Sequence, residues 1–284
     1  IGYLLRGLLR LPARASGTAA GALLLALATG GALLGASGPA RAQDETRAIE
    51  AALETRLAYV RTGLPDVDEI SHAGLLGITR VLARRTSVEG GDPVPVDLGT
   101  DELAVYPLLY WPVPPEHPDL AAGTLDRVAR FLRRGGMILF DTKDAGLLLP
   151  GQDGGGPGEA RLAQLLGGLD LPPLIRTPAD HVLTRSFYLL QDFPGRWVGQ
   201  PVWVDQVPAS VNDGVSSVVI GGNDWAGAWA EDEYGTPLLP VVPGGEEQRE
   251  MARRFGVNIV MYTLTGNYKT DQVHVPALLE RLGQ

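Results

Sequence analysis

A short apolar run followed at once by polar residues constrains this chain more than any other feature. Residues 137–140 read Met-Ile-Leu-Phe, and residues 141–144 read Asp-Thr-Lys-Asp. A continuous apolar run is typical of a parallel strand that helices cover on both faces. Polar groups that follow such a strand lie at the edge where open α/β sheets bind ligands. The run therefore predicts a buried parallel strand and, at its carboxyl end, a place for a ligand.

The segments around this strand alternate between strand-like and helix-like patterns. The predicted strands are residues 57–60, 103–110, 137–140, 215–220 and 257–264. The predicted helices are residues 65–82, 119–134, 159–166, 246–255 and 276–282. Alternation of this kind predicts a doubly wound α/β fold with a parallel sheet.

Several positions refine this prediction. Pro107 favours an edge strand or a bulge, because proline cannot donate to a strand ladder. Gly74 and Gly77 weaken the first helix, so we expect them to allow close packing against strands. Gly256 is predicted to end the fourth helix. Residues 170–215, with many prolines and Trp197 and Trp203, are predicted to form a β-rich insertion.

The front of the chain has the pattern of a membrane segment. Between Arg14 and Arg41 no residue is charged, and about 20 mostly apolar residues are enough to cross a bilayer. We expect a basic cytoplasmic flank at residues 1–18, an apolar segment at 19–37, a linker at 38–55 and the α/β domain at 56–284. Because the chain begins at Ile1, we also expect it to be part of a longer protein.

Two interpretations of the apolar segment remain open. Arginines before it and the sequence Ala-Arg-Ala at 40–42 fit a signal peptide that is cleaved before Gln43. An uncleaved transmembrane helix fits equally, whereas a buried helix of a water-exposed domain is disfavoured by length and flanks. Both leading interpretations place the α/β domain on the periplasmic side of the cytoplasmic membrane, since basic flanks stay inside.

Charge and composition exclude several classes of function. Residues 1–42 hold four arginines and no acidic residue, so the rest of the chain has 20 basic residues against 33 acidic ones. Such a domain repels phosphate backbones, and we expect no nucleic-acid partner. The chain has no cysteine, which excludes disulfides and thiolate nucleophiles. It also has no Gly-x-Ser-x-Gly turn and no complete phosphate-binding loop, so we expect no cofactor.

Polar side chains are predicted to converge at the carboxyl ends of three strands. The candidate ligand-binding residues are Asp141, Lys143, Asp144, Asn223, Asp224, Asn267 and Lys269. Carboxylates mixed with amide and ammonium donors suit a cation or a polyol. The same residue types also cap helices and fix turns, and this structural role is slightly favoured.

Structural or solvated roles are the favoured interpretation of the histidines, and one of them is a candidate for acid-base chemistry. The four histidines show no His-x-x-x-His spacing, so no metal site is predicted. His181 follows Asp180, and a neighbouring carboxylate can hold an imidazole in one tautomer. Asp141, His181 and Asp224 are therefore the candidate catalytic residues.

Several long phrases of the sequence resemble one known family. The phrases are residues 106–112, 135–142, 187–196, 222–230 and 264–276. Together they are similar to a bacterial family of domains of unknown function, number 4159, found C-terminal to a membrane region of the BatA-like aerotolerance-regulator type. The resemblance implies a flavodoxin-like, class I glutamine-amidotransferase-like fold and no established activity. Amidotransferases of that fold use a cysteine nucleophile, which this chain lacks.

Three functions remain open. The favoured one is a non-catalytic, membrane-tethered domain that binds a ligand or an envelope or membrane protein partner. The alternative is a hydrolase of envelope glycan or a small amide that uses Asp141, His181 and Asp224, with or without a divalent cation. The third is a purely structural role inside a multi-pass membrane complex.

Overall fold

A computed structural model describes residues 55–148, 154–206 and 215–282, with side chains described as far as residue 264. The fold is a mixed α/β domain built on one seven-stranded sheet. The strands are β1 (Ala58–Val60), β2 (Val94–Val96), β3 (Leu108–Pro112), β4 (Met137–Asp141), β5 (Leu174–Arg176), β6 (Trp203–Asp205) and β7 (Val218–Gly221). The α-helices are α1 (Pro65–Arg85), α2 (Thr124–Arg133), α3 (Pro157–Leu165), α4 (Trp225–Trp229) and α5 (Gly245–Leu282).

The sheet is mostly parallel, as the alternation of elements predicted. Its strand order is β2-β1-β3-β4-β7-β6-β5. The first five strands of that order run parallel, β6 is antiparallel to β7, and β5 at the edge is antiparallel to β6. Because β3, β4 and β7 are parallel, the residues that follow them lie at one common edge, the carboxyl edge of the sheet.

Strand β4 lies in the middle of the sheet and divides the core into two layers. All five of its residues are buried. Met137 and Leu139 face the layer that contains side chains of α1, α4 and α5, whereas Ile138 and Phe140 face the layer that contains α2 and α3. Alternate residues of a strand point to opposite faces, so a strand buried on both faces is apolar along most of its length, as residues 137–140 are, with Asp141 as the polar residue at its end. The prediction of a buried strand here is confirmed.

The predicted last strand and the end of the helix before it were wrong. Residues 257–264 continue helix α5 without a break through Gly256. A short apolar run does not distinguish a buried strand from a buried helix by its pattern alone. Gly256 does not end the helix; an added Cβ there would lie 2.4 Å from Ile78 Cδ1, so the glycine allows α5 to approach α1. The separate closing helix predicted at 276–282 is part of α5 as well.

The glycines of α1 pack against a helix and not, as predicted, against strands. A Cβ on Gly74 would lie 2.5 Å from the carbonyl oxygen of Ala226, and one on Gly77 would lie 2.1 Å from that of Trp229. Both contacts are with the backbone of α4. The helix-weakening glycines are therefore required for the close approach of α1 and α4.

Four smaller predictions need correction. Pro107 precedes β3, which is an interior strand, and residues 103–105 form a 3₁₀ turn instead of strand. Strand β2 was missed because it has only three residues with a central proline, Pro95. Helix α2 begins at Thr124, five residues later than predicted. Within the segment 170–215, which was predicted to be a β-rich insertion, β5 and β6 extend the sheet itself.

No helix within the described residues is both long and apolar enough to cross a bilayer. The flank 1–18, the apolar segment 19–37 and nearly all of the linker 38–55 lie outside the described residues.

Candidate functional site

The carboxyl edge of the sheet holds a buried carboxylate at its centre. Asp141 ends β4 and is fully buried. Its Oδ2 accepts hydrogen bonds from the Tyr110 hydroxyl at 2.8 Å and from the Trp225 amide at 2.7 Å. Its Oδ1 accepts from the amides of Lys143 and Asp224, each at 3.2 Å. Four donors therefore surround one carboxylate, and they tie β3, β4 and the start of α4 together.

The two residues next to this carboxylate have unusual backbone conformations. Lys143 has φ +59° and Asp224 has φ +55°; they are the two non-glycine residues with positive φ within the described ranges. Their side chains form an ion pair between Nζ of Lys143 and Oδ1 of Asp224. Left-handed conformations cost about 1–3 kcal/mol for ordinary residues and cluster at functional sites. Here the ion pair and the bonds to Asp141 hold both residues in place.

A second cation approaches the same pair. A terminal nitrogen of Arg196 lies 3.6 Å from Oδ2 of Asp224, and its guanidinium stacks 5.3 Å from the ring centre of Trp197. Asp224 also caps α4, because its Oδ1 accepts from the Gly227 amide at 3.3 Å. Two cations and two carboxylates thus form a compact ionic network.

The pKa of Asp141 is raised from its ordinary 3.8 to about 6, mainly by burial; the charge of Lys143 opposes this rise and the charge of Asp224 contributes to it. Hydrogen bonds from Tyr110 and Trp225 also favour the ionised form. Burial raises the pKa of Tyr110 well above its ordinary value, with Asp141 adding to the rise. The hydroxyl therefore stays protonated and donates to the carboxylate.

Two other predicted rim residues have structural partners. Asp144 accepts from the amides of Gly158 at 2.8 Å and Glu159 at 2.7 Å, so it fixes the first turn of α3. The Asn223 amide group donates to the carbonyl oxygens of Phe193 and Gln200. Both residues therefore have the structural role, as caps and turn formers, that the sequence slightly favoured.

Asn267 and Lys269 are not brought to this edge by a strand. They lie within α5, beyond the last residue whose side chain is described. The wrong strand prediction at 257–264 removes the reason for placing them at the site.

His181 lies at the other end of the sheet. Its ring packs edge-to-face on Tyr262 at 5.6 Å, and Tyr262 accepts at its hydroxyl from the Ser216 amide, just before β7. Its Nδ1 accepts from the Leu183 amide at 3.2 Å, which caps a 3₁₀ turn. Burial lowers the pKa of His181. Because Asp141 follows the opposite end of β4, the predicted triad of Asp141, His181 and Asp224 is not assembled.

Two cavities border the site. One, of 410 Å³, is lined mainly by apolar side chains of α3 and the neighbouring strands, with Thr142 and Asp144 at its polar side. The other, of 750 Å³, is more polar and lies between the segment 189–202 and the start of α5. Asp141, Lys143, Asp224 and Arg196 line neither of them. In the portions of the chain that the structure describes, no group of three His, Asp or Glu side chains is placed to hold a metal ion.

Sequence reasoning missed two members of the network. Tyr110 belongs to the apolar strand β3, and only the register that pairs it with Leu139 brings its hydroxyl to Asp141. Arg196 lies within the irregular segment between β5 and β6, where no strand or helix pattern predicts the position of a residue in the fold. The only sequence signal for Arg196 was its place in the 187–196 phrase.

Comparison with known proteins supplies the remaining observation. No curated protein matches the chain. The sequence profile of one family matches residues 56–264, about three quarters of the chain. The chain therefore belongs to the family described as "Domain of unknown function (DUF4159)".

Proposed function

We propose that this chain is a non-catalytic binding domain, tethered to the cytoplasmic membrane on its periplasmic side, that takes a ligand or an envelope protein partner at the carboxyl edge of its sheet. The cavity of 410 Å³ beside α3 is the proposed ligand site. Tethering rests on the uncharged segment 15–40 and its arginine flanks.

The observation that carries the proposal is that the polar side chains at this edge are already engaged within the protein. Asp141 accepts four hydrogen bonds, Asp144 holds the start of α3, and Asn223 holds a loop. Asp224 is paired with Lys143. A general acid or base needs a position within reach of substrate, and Asp141 and Asp224 line neither cavity. Their arrangement favours a rigid carboxyl edge that binds a ligand in the adjacent cavity over an edge that catalyses a reaction.

The cavity has the properties of a small-molecule site. Its volume of 410 Å³ falls within the range of about 300–1,000 Å³ that is usual for ligand pockets. Leu162, Leu166 and Trp203 form apolar walls, and Thr142 and Glu159 supply polar groups at one side. We infer a ligand with an apolar body and one polar end.

The strand order supports a finer assignment of the fold. Five consecutive strands of the sheet follow the order 2-1-3-4 and then the next parallel strand, which is the flavodoxin-like order. A class I amidotransferase-like fold without its cysteine would retain a binding edge and lose the chemistry. Attachment to a BatA-like membrane region is part of the same proposal.

Blocking the cavity tests the proposal. Ala163 is exposed on α3 and lines the cavity, whereas Ala160 is exposed on the same helix and does not. The full chain in a non-ionic detergent is screened by thermal shift against amphipathic amines, glycan fragments and amino acids. A ligand at a hundred times its dissociation constant stabilises the domain by about 2.7 kcal/mol, or several degrees.

We expect Ala163→Trp to abolish the shift and Ala160→Trp to retain it. A ligand that stabilises both variants equally binds elsewhere and refutes the cavity as its site. A screen without any stabilising ligand moves the proposal to protein partners, which crosslinking of the full chain in its own membrane would then have to identify at the carboxyl edge.

One observation favours the alternative, a hydrolase. The pKa of Asp141 near 6 suits a general acid at neutral pH, and strained residues flank it. Its full burial and its absence from both cavities weigh against this function. Turnover of peptidoglycan fragments or small amides that Asp141→Asn abolishes, with the fold intact, would establish the hydrolase.

A further inference from the structure

Helix α2 presents an unusual concentration of positive charge in an acidic domain. Arg127, Arg130 and Arg134 are spaced by three and four residues, which places them on one face of the helix or its last turn. All three line a single cavity of 310 Å³ whose floor includes Leu103 and Phe131. We call this cavity the arginine pocket.

The arginine pocket is distinct from the carboxyl-edge site. It lies where α2 ends and β4 begins, beside the 3₁₀ turn that leads into β3. Both of these strands start here, so the pocket is at the amino edge of the sheet, opposite Asp141. The chain enters the sheet at the same edge, through β1.

One arginine is fixed and two are available. Arg127 donates from Nε to the carbonyl oxygen of Leu98 at 2.8 Å and from a terminal nitrogen to that of Asp101. The exposed side chains of Arg130 and Arg134 form no ion pair and no side-chain hydrogen bond with the residues whose side chains are described. Glu102 is the one acidic residue that lines the pocket, and its carboxylate accepts from the Ala104 amide.

A purely structural role explains only part of this arrangement. Arginines near the end of a helix interact favourably with its dipole, and this accounts for their presence on the last turn. It does not account for three guanidinium groups around one cavity, where like charges repel unless an anion lies between them. Guanidinium forks match the oxygens of phosphate in paired hydrogen bonds.

We propose that the arginine pocket binds a phosphate group, presented either by a small phosphorylated molecule or by the headgroup of an anionic lipid. Arg127 orients the floor of the site, and Arg130 and Arg134 supply the donors. The ligand differs in chemistry and position from that of the carboxyl-edge cavity, so the two proposals fail independently.

Isothermal titration of the full chain in a non-ionic detergent tests the site. The probes are inorganic phosphate, glycerol phosphate, and short-chain phosphatidylglycerol with phosphatidylcholine as its zwitterionic counterpart. We expect saturable binding of at least one of the two soluble phosphates or of phosphatidylglycerol, and weaker binding of phosphatidylcholine. Binding of the soluble phosphates identifies a small-molecule site, whereas binding of phosphatidylglycerol alone identifies a headgroup site.

Variants decide whether the pocket is responsible. Arg130→Gln/Arg134→Gln should weaken binding at least about tenfold, because the loss of even one charged hydrogen bond costs about that much. Arg133→Gln removes an exposed arginine of the same helix that does not line the pocket, and should change affinity less than about twofold. Ala163→Trp should leave phosphate binding unchanged. Absence of saturable binding by every probe, equal binding of both lipids, or equal loss in the double variant and Arg133→Gln would overturn the proposal.

Discussion

Replacing Asp141 by asparagine should change how the stability of the domain depends on pH. The pKa of Asp141 is about 6 in the folded protein, because burial and the charge of Asp224 oppose its ionisation. In the unfolded chain the carboxyl returns to its ordinary pKa of 3.8. Between these values the folded protein binds more protons than the unfolded chain, so stability falls as pH rises.

The size of the effect follows from the two pKa values. A difference of about two pKa units corresponds to about 3 kcal/mol in the free energy of unfolding, and most of it is lost between pH 4 and pH 7. Asparagine has the same shape and does not titrate. The stability of the wild-type protein relative to Asp141→Asn should therefore fall by about 2–3 kcal/mol across this range.

Urea unfolding followed by tryptophan fluorescence, at several pH values from 4 to 7, measures the difference. Other titrating groups are common to both proteins and cancel. Asp126→Asn, which removes an exposed carboxylate from α2, controls for the loss of one negative charge. A difference between wild type and Asp141→Asn that is independent of pH, or that grows in favour of the wild type as pH rises, would refute the reasoning, because the four hydrogen bonds would then outweigh burial.

Three further outcomes test the fold and the topology. Gly77→Ala should destabilise the domain by about 2 kcal/mol or more in urea unfolding, since its Cβ would lie 2.1 Å from a backbone oxygen of α4; a gain of helix stability instead would contradict the packing. Asp144→Ala should cost about 1–2 kcal/mol in the same assay by removing the acceptor for the first amides of α3, and an unchanged midpoint would disprove that role. A single cysteine at the exposed Tyr234 should react with a membrane-impermeant maleimide in intact cells whose outer membrane is permeabilised, whereas one at Ser16 should react only after lysis; the reverse pattern would exclude the periplasmic location.

The sequence predicted strand β4 and helix α1 because buried positions select apolar residues. Strand β4 is buried on both faces and is therefore apolar from Met137 to Phe140, and α1 shows the 3.6-residue period of a helix with one buried face. The polar residues after β4 and β7 were placed correctly at one edge, since parallel strands end together. At this edge Asp141 accepts a hydrogen bond from the Asp224 amide at the start of α4, and the Asp224 carboxylate pairs with Lys143.

Other features depended on contacts between distant parts of the chain. Residues 257–264 would be apolar in either a buried helix or a buried strand, and the structure has them in α5, which approaches Ile78 of α1 closely at Gly256. His181 has a plausible neighbour in sequence, but the irregular segment that follows β5 places its ring against Tyr262, whose hydroxyl accepts from the Ser216 amide just before β7.

The sequence by itself determined that the chain forms an acidic α/β domain with a mostly parallel sheet. It also placed a carboxylate, that of Asp141, at the end of the central strand. The tertiary structure alone decided what surrounds that carboxylate, which side chains line the cavities, and that three arginines of α2 share one pocket. Local patterns record whether a residue is buried, because burial selects apolar side chains position by position. Local patterns do not predict which buried or charged groups contact each other, because those contacts depend on strand register and helix packing between segments far apart in sequence.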